Sequence, residues 1–252
     1  MKKTLLKLGM GLVAVIATVA IALPSILHSA GVHPEYNGPK TELPGKRALI
    51  ITTSHATLNA PGETTGDATG VMASEMTHPY YTFLDGGMQV DIASIKGGEI
   101  PIDPQTFSRP VISPEDKRYL NDAGAQAKAK NSIKIDDVDI SQYDIVFISG
   151  GWGAAYDLIL SDVLAEQVSN AYYGDKQAII GSVCHGALGL VNAKDQRGNL
   201  LIAGRKMTGV TDKQIKQLGI EITPFHPETE LRKAGVIFES QTKFIDFFAT
   251  HV

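Results

Sequence analysis

Four short apolar runs constrain the fold of this chain more strongly than any other feature of its sequence. Segments with helical spacing and loops rich in glycine and proline separate the runs, and each run is apolar on both faces. Strands that are buried on both sides and alternate with helices are typical of a parallel sheet. We therefore predict an α/β domain, a parallel-sheet sandwich with helices on both faces, with strands over residues 47–53, 88–94, 143–149 and 177–183.

Three segments between or after these strands are predicted to be helices. Residues 70–85 carry apolar side chains at helical spacing and end at Gly86 and Gly87, a pair suited to a helix C-terminus. Residues 158–172 are amphipathic, and a further helix is expected over residues 187–193, after the fourth strand. Each of these helices can cover one face of the sheet.

The N-terminal segment, residues 1–30, combines a cationic start with an apolar run. Three lysines, Lys2, Lys3 and Lys7, precede the run, which covers residues 8–27. About 20 apolar residues suffice to span a bilayer, and lysines before the run favour a cytoplasmic N-terminus. We therefore expect an N-terminal hydrophobic helix that is either a cleaved signal peptide or a retained anchor in the inner membrane. Both alternatives predict an exported, periplasmic or otherwise extracytoplasmic protein.

The remaining chain is predicted to be a linker followed by one domain. Residues 31–44 are rich in proline, glycine and polar side chains, which is typical of a linker. The domain is expected over residues 45–252. The alternating pattern weakens after Thr208, and the chain stops directly after the apolar run 244–252. We therefore expect that a final strand and helix are missing from the C-terminal end.

The composition excludes several classes of protein. The 252 residues include one cysteine, so the chain cannot form an internal disulfide framework or a cysteine-based metal cage. The formal net charge is −4, which leaves no basic surface typical of nucleic-acid binding. The histidines His78 and His226 have no metal-motif spacing and are expected to be solvated or structural.

The single cysteine, Cys184, is the strongest candidate for chemistry. It follows the fourth predicted strand in Gly181-Ser182-Val183-Cys184-His185-Gly186, the strand–turn–helix arrangement of a nucleophile elbow. A helix that begins just after the cysteine favours the thiolate. The alternative is a buried structural cysteine, but the adjacent His185 and the position at a strand end favour a functional role. His185 is either a general base or a residue at the border of the pocket.

A glycine loop, Ser149-Gly150-Gly151-Trp152-Gly153, directly follows the third predicted strand. Backbone N–H groups in such a loop can bind an oxyanion, although a tight turn is the alternative. Because the carboxyl ends of parallel strands form one crevice, we expect this loop to lie beside the cysteine. Glu75 lies on the first predicted helix, but nothing in the residues alone selects it from the 27 acidic side chains.

Four stretches, in family order, resemble the ThiJ/PfpI superfamily, which has the flavodoxin-like fold of class I glutamine amidotransferases. They are most similar to its branch of glutathione-independent glyoxalases and holding chaperones. The stretches are residues 70–80 with Glu75 and His78-Pro79, residues 90–104 with Lys96-Gly97-Gly98 and Asp103-Pro104, residues 150–157 with Gly150-Gly151-Trp152-Gly153 and Asp157, and residues 182–186 around Cys184.

The resemblance implies a role for each of five residues. Cys184 would be the nucleophile, and Glu75 a buried, mostly protonated carboxyl that donates a hydrogen bond to the sulfur. Gly151 and Trp152 would supply oxyanion-binding N–H groups, and His185 would move protons. The implied reaction converts methylglyoxal to lactate through a thiolate adduct, with no metal and no cofactor. The implied partner is a small aldehyde, and a homodimer is left open.

Two positions depart from the family pattern. Trp152 stands where the branch usually has histidine, and Ile215 stands where the acidic third member of a triad is expected, with Asp212 nearby. These departures favour the alternative of a non-catalytic stress protein, either a holding chaperone or a cysteine redox sensor. A glutamine amidotransferase subunit is disfavoured because the chain has no synthetase domain.

Overall fold

The computed structural model describes residues 2–29, 38–108 and 111–240. Each of the four predicted strands is present and differs from the prediction by at most two residues at either end. In chain order, the strands in the described ranges are β1 (Arg47–Thr52), β2 (Thr57–Leu58), β3 (Asp67–Ala68), β4 (Gln89–Ser94), β5 (Ile133–Lys134), β6 (Ile145–Ile148), β7 (Ile179–Ser182), β8 (Lys206–Met207) and β9 (Ile237–Phe238).

Five of these strands form one parallel sheet in the spatial order β5-β4-β1-β6-β7. Ile50 in the central strand β1 is in register with Ile92 of β4 on one side and Phe147 of β6 on the other. Successive strands are added in opposite directions on the two sides of β1, so a crevice opens at the carboxyl ends of the central strands. The prediction of a parallel α/β sheet is confirmed. The sequence analysis missed β5, which is only two residues long.

Helices connect the strands and cover both faces of the sheet. The helix predicted over residues 187–193 is present as a 3-10 helix, Cys184–Leu190, which begins three residues earlier, at the cysteine itself. The α-helices in the described ranges are α1 (Lys2–Ser29), α2 (Ala73–Asp85), α3 (Pro114–Tyr119), α4 (Ala123–Lys130), α5 (Ala154–Asp157), α6 (Asp162–Tyr173), α7 (Asp212–Leu218) and α8 (Pro227–Lys233).

The core lies on the two faces of β1. Leu49 and Ile51 belong to the larger buried cluster, which includes residues of α6 and the 3-10 helix after Cys184. Ala48 and Ile50 belong to a second cluster with residues of α2 and α4. Successive side chains of a strand point to opposite faces, so a strand covered on both sides must be apolar at every position. This explains why the strands are continuous apolar runs in the sequence.

The N-terminal helix is present, but its expected role is not supported. The helix α1 covers Lys2–Ser29. Within residues 2–29, 38–108 and 111–240, no helix combines the length and the apolar character that crossing a membrane requires. An apolar run of sufficient length is therefore not enough to establish a span. The predictions of a signal peptide or membrane anchor over residues 1–30, and of the exported, periplasmic location inferred from it, are wrong on this finding.

The expected linker and the expected loss of C-terminal elements both involve residues outside the described ranges. Residues 31–37 of the predicted linker and the apolar run 244–252 lie outside the described residues. The domain boundaries at residues 44 and 45, and the expectation that final elements are missing, therefore stay predictions. Before that run, the described chain contains α8 and then β9.

Candidate active site

Cys184 lies at the carboxyl end of β7, where the chain turns sharply into the 3-10 helix. Its φ is +57°, in the left-handed region that few residues other than glycine adopt. Such a conformation costs about 1–2 kcal/mol for a residue with a side chain. The strained turn directs the sulfur into a pocket above the sheet, so the elbow expected from the sequence is present. The thiol is free and partly buried.

Glu75 lies in the first turn of α2 and faces the cysteine. Its Oε2 accepts a hydrogen bond of 3.0 Å from the backbone N–H of Gly150, and its side chain is also hydrogen-bonded to Cys184. The hydroxyl of Ser149 donates to the backbone carbonyl of Glu75 at 2.8 Å, which ties the end of β6 to α2. A Cβ at Gly150 would lie 2.6 Å from Oε2, so only glycine lets the carboxyl approach the loop. The structure thus brings together the two motifs that hold Glu75 and the glycine loop.

Burial controls the ionisation of both partners in this pair. Burial raises the pKa of Glu75 to about 7, although hydrogen bonds from Cys184, Gly150 and Gly151 oppose the rise. Burial, and then the negative charge of Glu75, raise the pKa of Cys184 well above its ordinary value. The sequence predicted a lowered cysteine pKa, whereas the structure favours a raised one, because desolvation outweighs the N–H groups of Gly151 and His185. At least one proton is therefore retained between the two groups near neutral pH.

His185 is fully buried and neutral. Its Nδ1 lies 3.4 Å from the sulfur of Cys184, within hydrogen-bonding reach for sulfur. Burial, and then the nearby His226, lower the pKa of His185 to about 3. Its Nε2 has no hydrogen-bond partner among the described residues. A neutral imidazole can accept a proton on one nitrogen and release one from the other, but a stable imidazolium–thiolate pair is disfavoured here.

The glycine loop lies against the cysteine as expected. Gly151 has a φ of +93°, and a Cβ there would lie 2.3 Å from the backbone nitrogen of Met72. Its backbone N–H forms hydrogen bonds with both Cys184 and Glu75, so this donor points to the reacting region. Trp152 follows and lines the same pocket. Both candidate oxyanion residues are therefore beside the sulfur.

A cavity of about 650 Å³ opens above these residues. Its lining comes from the end of β7, the glycine loop, the start of α2, α7, residues 103–106, Val111 and residues 208–210. The sequence analysis did not select Thr208 or Gln214, which lie beyond the recognised motifs and contact the cavity only because of the tertiary fold. Within the described residues, no group of three or more His, Cys, Asp or Glu side chains is placed to hold a metal ion.

Ile215 occupies the position at which the family pattern has an acidic side chain, the expected third member of a triad with Cys184 and His185. Ile215 is 1% exposed and packs in an apolar cluster. The carboxyl of Asp212 instead accepts a hydrogen bond of 2.9 Å from the hydroxyl of Thr229. His226, for which the sequence analysis expected a solvated or structural role, is close enough to lower the pKa of His185. Its position at the N-cap of α8, before Pro227, was the only available signal.

Two other motif residues have structural contacts. Asp157 accepts hydrogen bonds of 2.8 Å from the hydroxyl of Thr53 and from the backbone N–H of Ser54. These bonds fasten the glycine-loop region to the end of β1. The Nε2 of His78 lies 3.0 Å from a carboxylate oxygen of Glu115, in a partly exposed ion pair. The expectation of a solvated or structural role for His78 agrees with this contact.

The chain belongs to the DJ-1/PfpI family, because the family model matches residues 67–223. This finding confirms the predicted superfamily. Among curated proteins, Glyoxalase 3 of Candida albicans is 30% identical over 177 residues, covering 69% of this chain and 72% of that protein. The probable glutathione-independent glyoxalase SNO4 of Saccharomyces cerevisiae is 33% identical over 181 residues, covering 70% and 73%.

Solved structures agree with this assignment. The crystal structure of glyoxalase III from Candida albicans has a TM-score of 0.70 and 27% identity, and the match covers 79% of this chain and 84% of that one. The Rapid Encystment Protein 24 kDa of Francisella tularensis has a TM-score of 0.72 and 33% identity, with coverages of 79% and 86%. The flavodoxin-like fold expected from the resemblance is thereby confirmed.

Proposed function

We propose that this chain is a glutathione-independent glyoxalase that converts an α-oxoaldehyde such as methylglyoxal, with water, into an α-hydroxy acid such as lactate. The observation that carries the proposal is the arrangement of the Cys184 sulfur between the Glu75 carboxyl, the Gly151 N–H and the His185 imidazole. The names of the relatives support the same reaction class.

The first step needs a thiolate, and Glu75 is placed to receive the thiol proton. Because its pKa is raised to about 7, the carboxylate is a stronger base than an ordinary glutamate. Transfer of the proton leaves a neutral carboxyl that donates a hydrogen bond to the sulfur and removes a neighbouring negative charge. The thiolate of Cys184 then adds to the aldehyde carbon and forms a hemithioacetal.

The oxygen of the attacked aldehyde becomes negatively charged during this addition. The N–H of Gly151 points to the sulfur, and the N–H of Trp152 follows in the same loop. Donors fixed in a shielded pocket stabilise such an oxyanion without reorganising, and one donor contributes about 3 kcal/mol. We assign this role to Gly151 and Trp152.

The hemithioacetal must then move a hydrogen from its former aldehyde carbon to the neighbouring ketone carbon. In the proposed step, His185 accepts the proton from the first carbon, which gives an enediol, and a proton returns to the second carbon. The product is a thioester of the hydroxy acid, which water hydrolyses to free the acid and the thiol. The first carbon is oxidised and the second is reduced, so no external oxidant, metal or cofactor is required.

The direct test is lactate formation from methylglyoxal by the purified chain, with no added glutathione and with a metal chelator present. We expect turnover with a kcat of about 1 s⁻¹ or higher, within the usual range for enzymes. Measured lactate must equal the methylglyoxal consumed, because binding alone also removes free aldehyde. Lack of lactate in the presence of folded protein would contradict the proposal.

The alternative of a non-catalytic stress protein gives a different result in the same preparation. The apolar Ile215 at the acid position is the observation that favours it. A holding chaperone suppresses aggregation of a client protein without producing lactate. A redox sensor instead accumulates oxidised Cys184 on exposure to peroxide, again without lactate.

A further inference from the structure

The pocket has one apolar side, which we call the apolar wall: Trp152, Val210, Ile215 and Ile220. Val210, Ile215 and Ile220 form a buried cluster, and both Trp152 and Cys184 pack against it. Trp152 and Val210 also line the cavity. Ile215 supports the wall from behind at 1% exposure, so an acidic side chain at that position would disrupt this packing. The two departures from the family pattern thus meet in one surface beside the sulfur.

Further apolar side chains continue the wall around the cavity. Met72 from the start of α2, Val111 and Leu218 from the end of α7 line the same space. A molecule held at Cys184 therefore meets carbon atoms over a large part of its surface. Burial of an apolar group against such a lining contributes about 25 cal/mol for each Å² removed from water.

Two polar side chains of the lining, Asp103 and Gln214, have acceptor oxygens that are engaged with the protein itself. The carboxylate of Asp103 accepts from the hydroxyl of Thr69 and from the backbone N–H of Gln105, both at 2.9 Å. The amide oxygen of Gln214 accepts from the backbone N–H of Thr211 at 2.8 Å. These acceptors close a helix cap and a loop, so they are not free to bind a polar substituent of a substrate.

The size of the cavity also favours a ligand with a large apolar group. Its volume of about 650 Å³ is in the range of pockets that enclose drug-sized molecules. Methylglyoxal carries only a methyl group beside its two carbonyls, so it leaves most of this space to water. A larger apolar substituent would displace that water and contact the wall.

Given the glyoxalase activity proposed above, we propose that the preferred substrate is an α-oxoaldehyde with a bulky apolar substituent, aryl or branched alkyl, and that Trp152 determines this preference. The two carbonyls occupy the region of Cys184 and Gly151, and the substituent lies against the indole. The reaction is unchanged: phenylglyoxal and water give mandelate, with the aldehyde carbon oxidised and the ketone carbon reduced.

The test compares phenylglyoxal with methylglyoxal for the wild-type protein and the Trp152→His variant, by measuring mandelate and lactate. We expect KM for phenylglyoxal to be about tenfold or more below that for methylglyoxal, as contacts in an apolar pocket allow. Trp152→His should raise KM for phenylglyoxal about tenfold relative to KM for methylglyoxal, so the ratio of the two KM values measures the contribution of the indole.

Two further variants keep the result interpretable. Trp152→Phe retains an aromatic surface and should restore most of the phenylglyoxal preference. Tyr173→His makes a similar aromatic-to-histidine change on α6, at a residue that is 39% exposed and outside the lining, and should leave both KM values unchanged.

The outcomes distinguish a failure of the substrate preference from a failure of the glyoxalase function on which that preference rests. Lack of turnover with both aldehydes would overturn the proposed function itself. Equal or weaker use of phenylglyoxal, with normal turnover of methylglyoxal, would overturn only the substrate preference. A preference that survives unchanged in Trp152→His would overturn the role of Trp152.

Discussion

Replacing Cys184 with alanine will lower kcat/KM for methylglyoxal by about 10³-fold or more, because the bond-forming atom is lost. This is about 4 kcal/mol of transition-state stabilisation. The chain has one cysteine, so no second thiol can substitute for it. Steady-state lactate formation by the wild-type and variant proteins, at matched concentrations, measures the loss.

A Cys184→Ser variant serves as the matched control for shape. The hydroxyl is close in size to the thiol but is a much weaker nucleophile at neutral pH, so its activity should fall as steeply. Thermal unfolding of both variants checks that the left-handed turn at residue 184 is retained. An alanine variant that folds and keeps more than about a tenth of the wild-type kcat/KM would rule out covalent catalysis by this residue.

Replacing Gly151 with alanine should lower the free energy of unfolding by about 3 kcal/mol or more. The added Cβ would lie 2.3 Å from the backbone nitrogen of Met72 and 2.4 Å from the backbone oxygen of Gly70. Both contacts are with main-chain atoms, which cannot rotate away as a side chain can. Denaturant titration measures the loss, and the displaced loop should also reduce activity in the fraction that folds.

Gly198→Ala is the matched control for this substitution. Gly198 has a similar left-handed φ of +85°, but a Cβ there would meet nothing within 4 Å. The control therefore carries the backbone strain alone, about 1 kcal/mol. If the two alanine variants lost the same stability, close packing between the glycine loop and the start of α2 would not be what restricts position 151.

The framework of the fold was predictable from the sequence because its strands are buried on both faces. Leu49 and Ile50 point to opposite clusters, so β1 has no polar position from Ala48 to Ile51 and stands out from its surroundings. Cys184 was predictable for a similar local reason, since it directly follows such a strand. The short strand β5 carries no comparable signal, because two residues cannot establish a period.

The chemistry of the site depended on contacts that residue patterns alone do not encode. Nothing around Glu75 in the chain indicates that it reaches Gly150, which is 75 positions away. Only the family resemblance selected it. The shift of the Cys184 pKa was predicted in the wrong direction. A helix start is visible in a sequence, whereas desolvation of the sulfur is not. The N-terminal prediction failed because run length was taken as sufficient evidence for a membrane span.

We propose that Glu75 and Cys184 share a proton, a claim that the rate of Cys184 alkylation as a function of pH tests directly. The negative charge of Glu75 raises the pKa of Cys184, so Glu75→Gln should move the alkylation curve to lower pH. Glu166→Gln, an exposed acid-to-amide change on α6, should leave the curve in place. A curve for Glu75→Gln that coincides with the wild type, or that moves to higher pH, would contradict the claim.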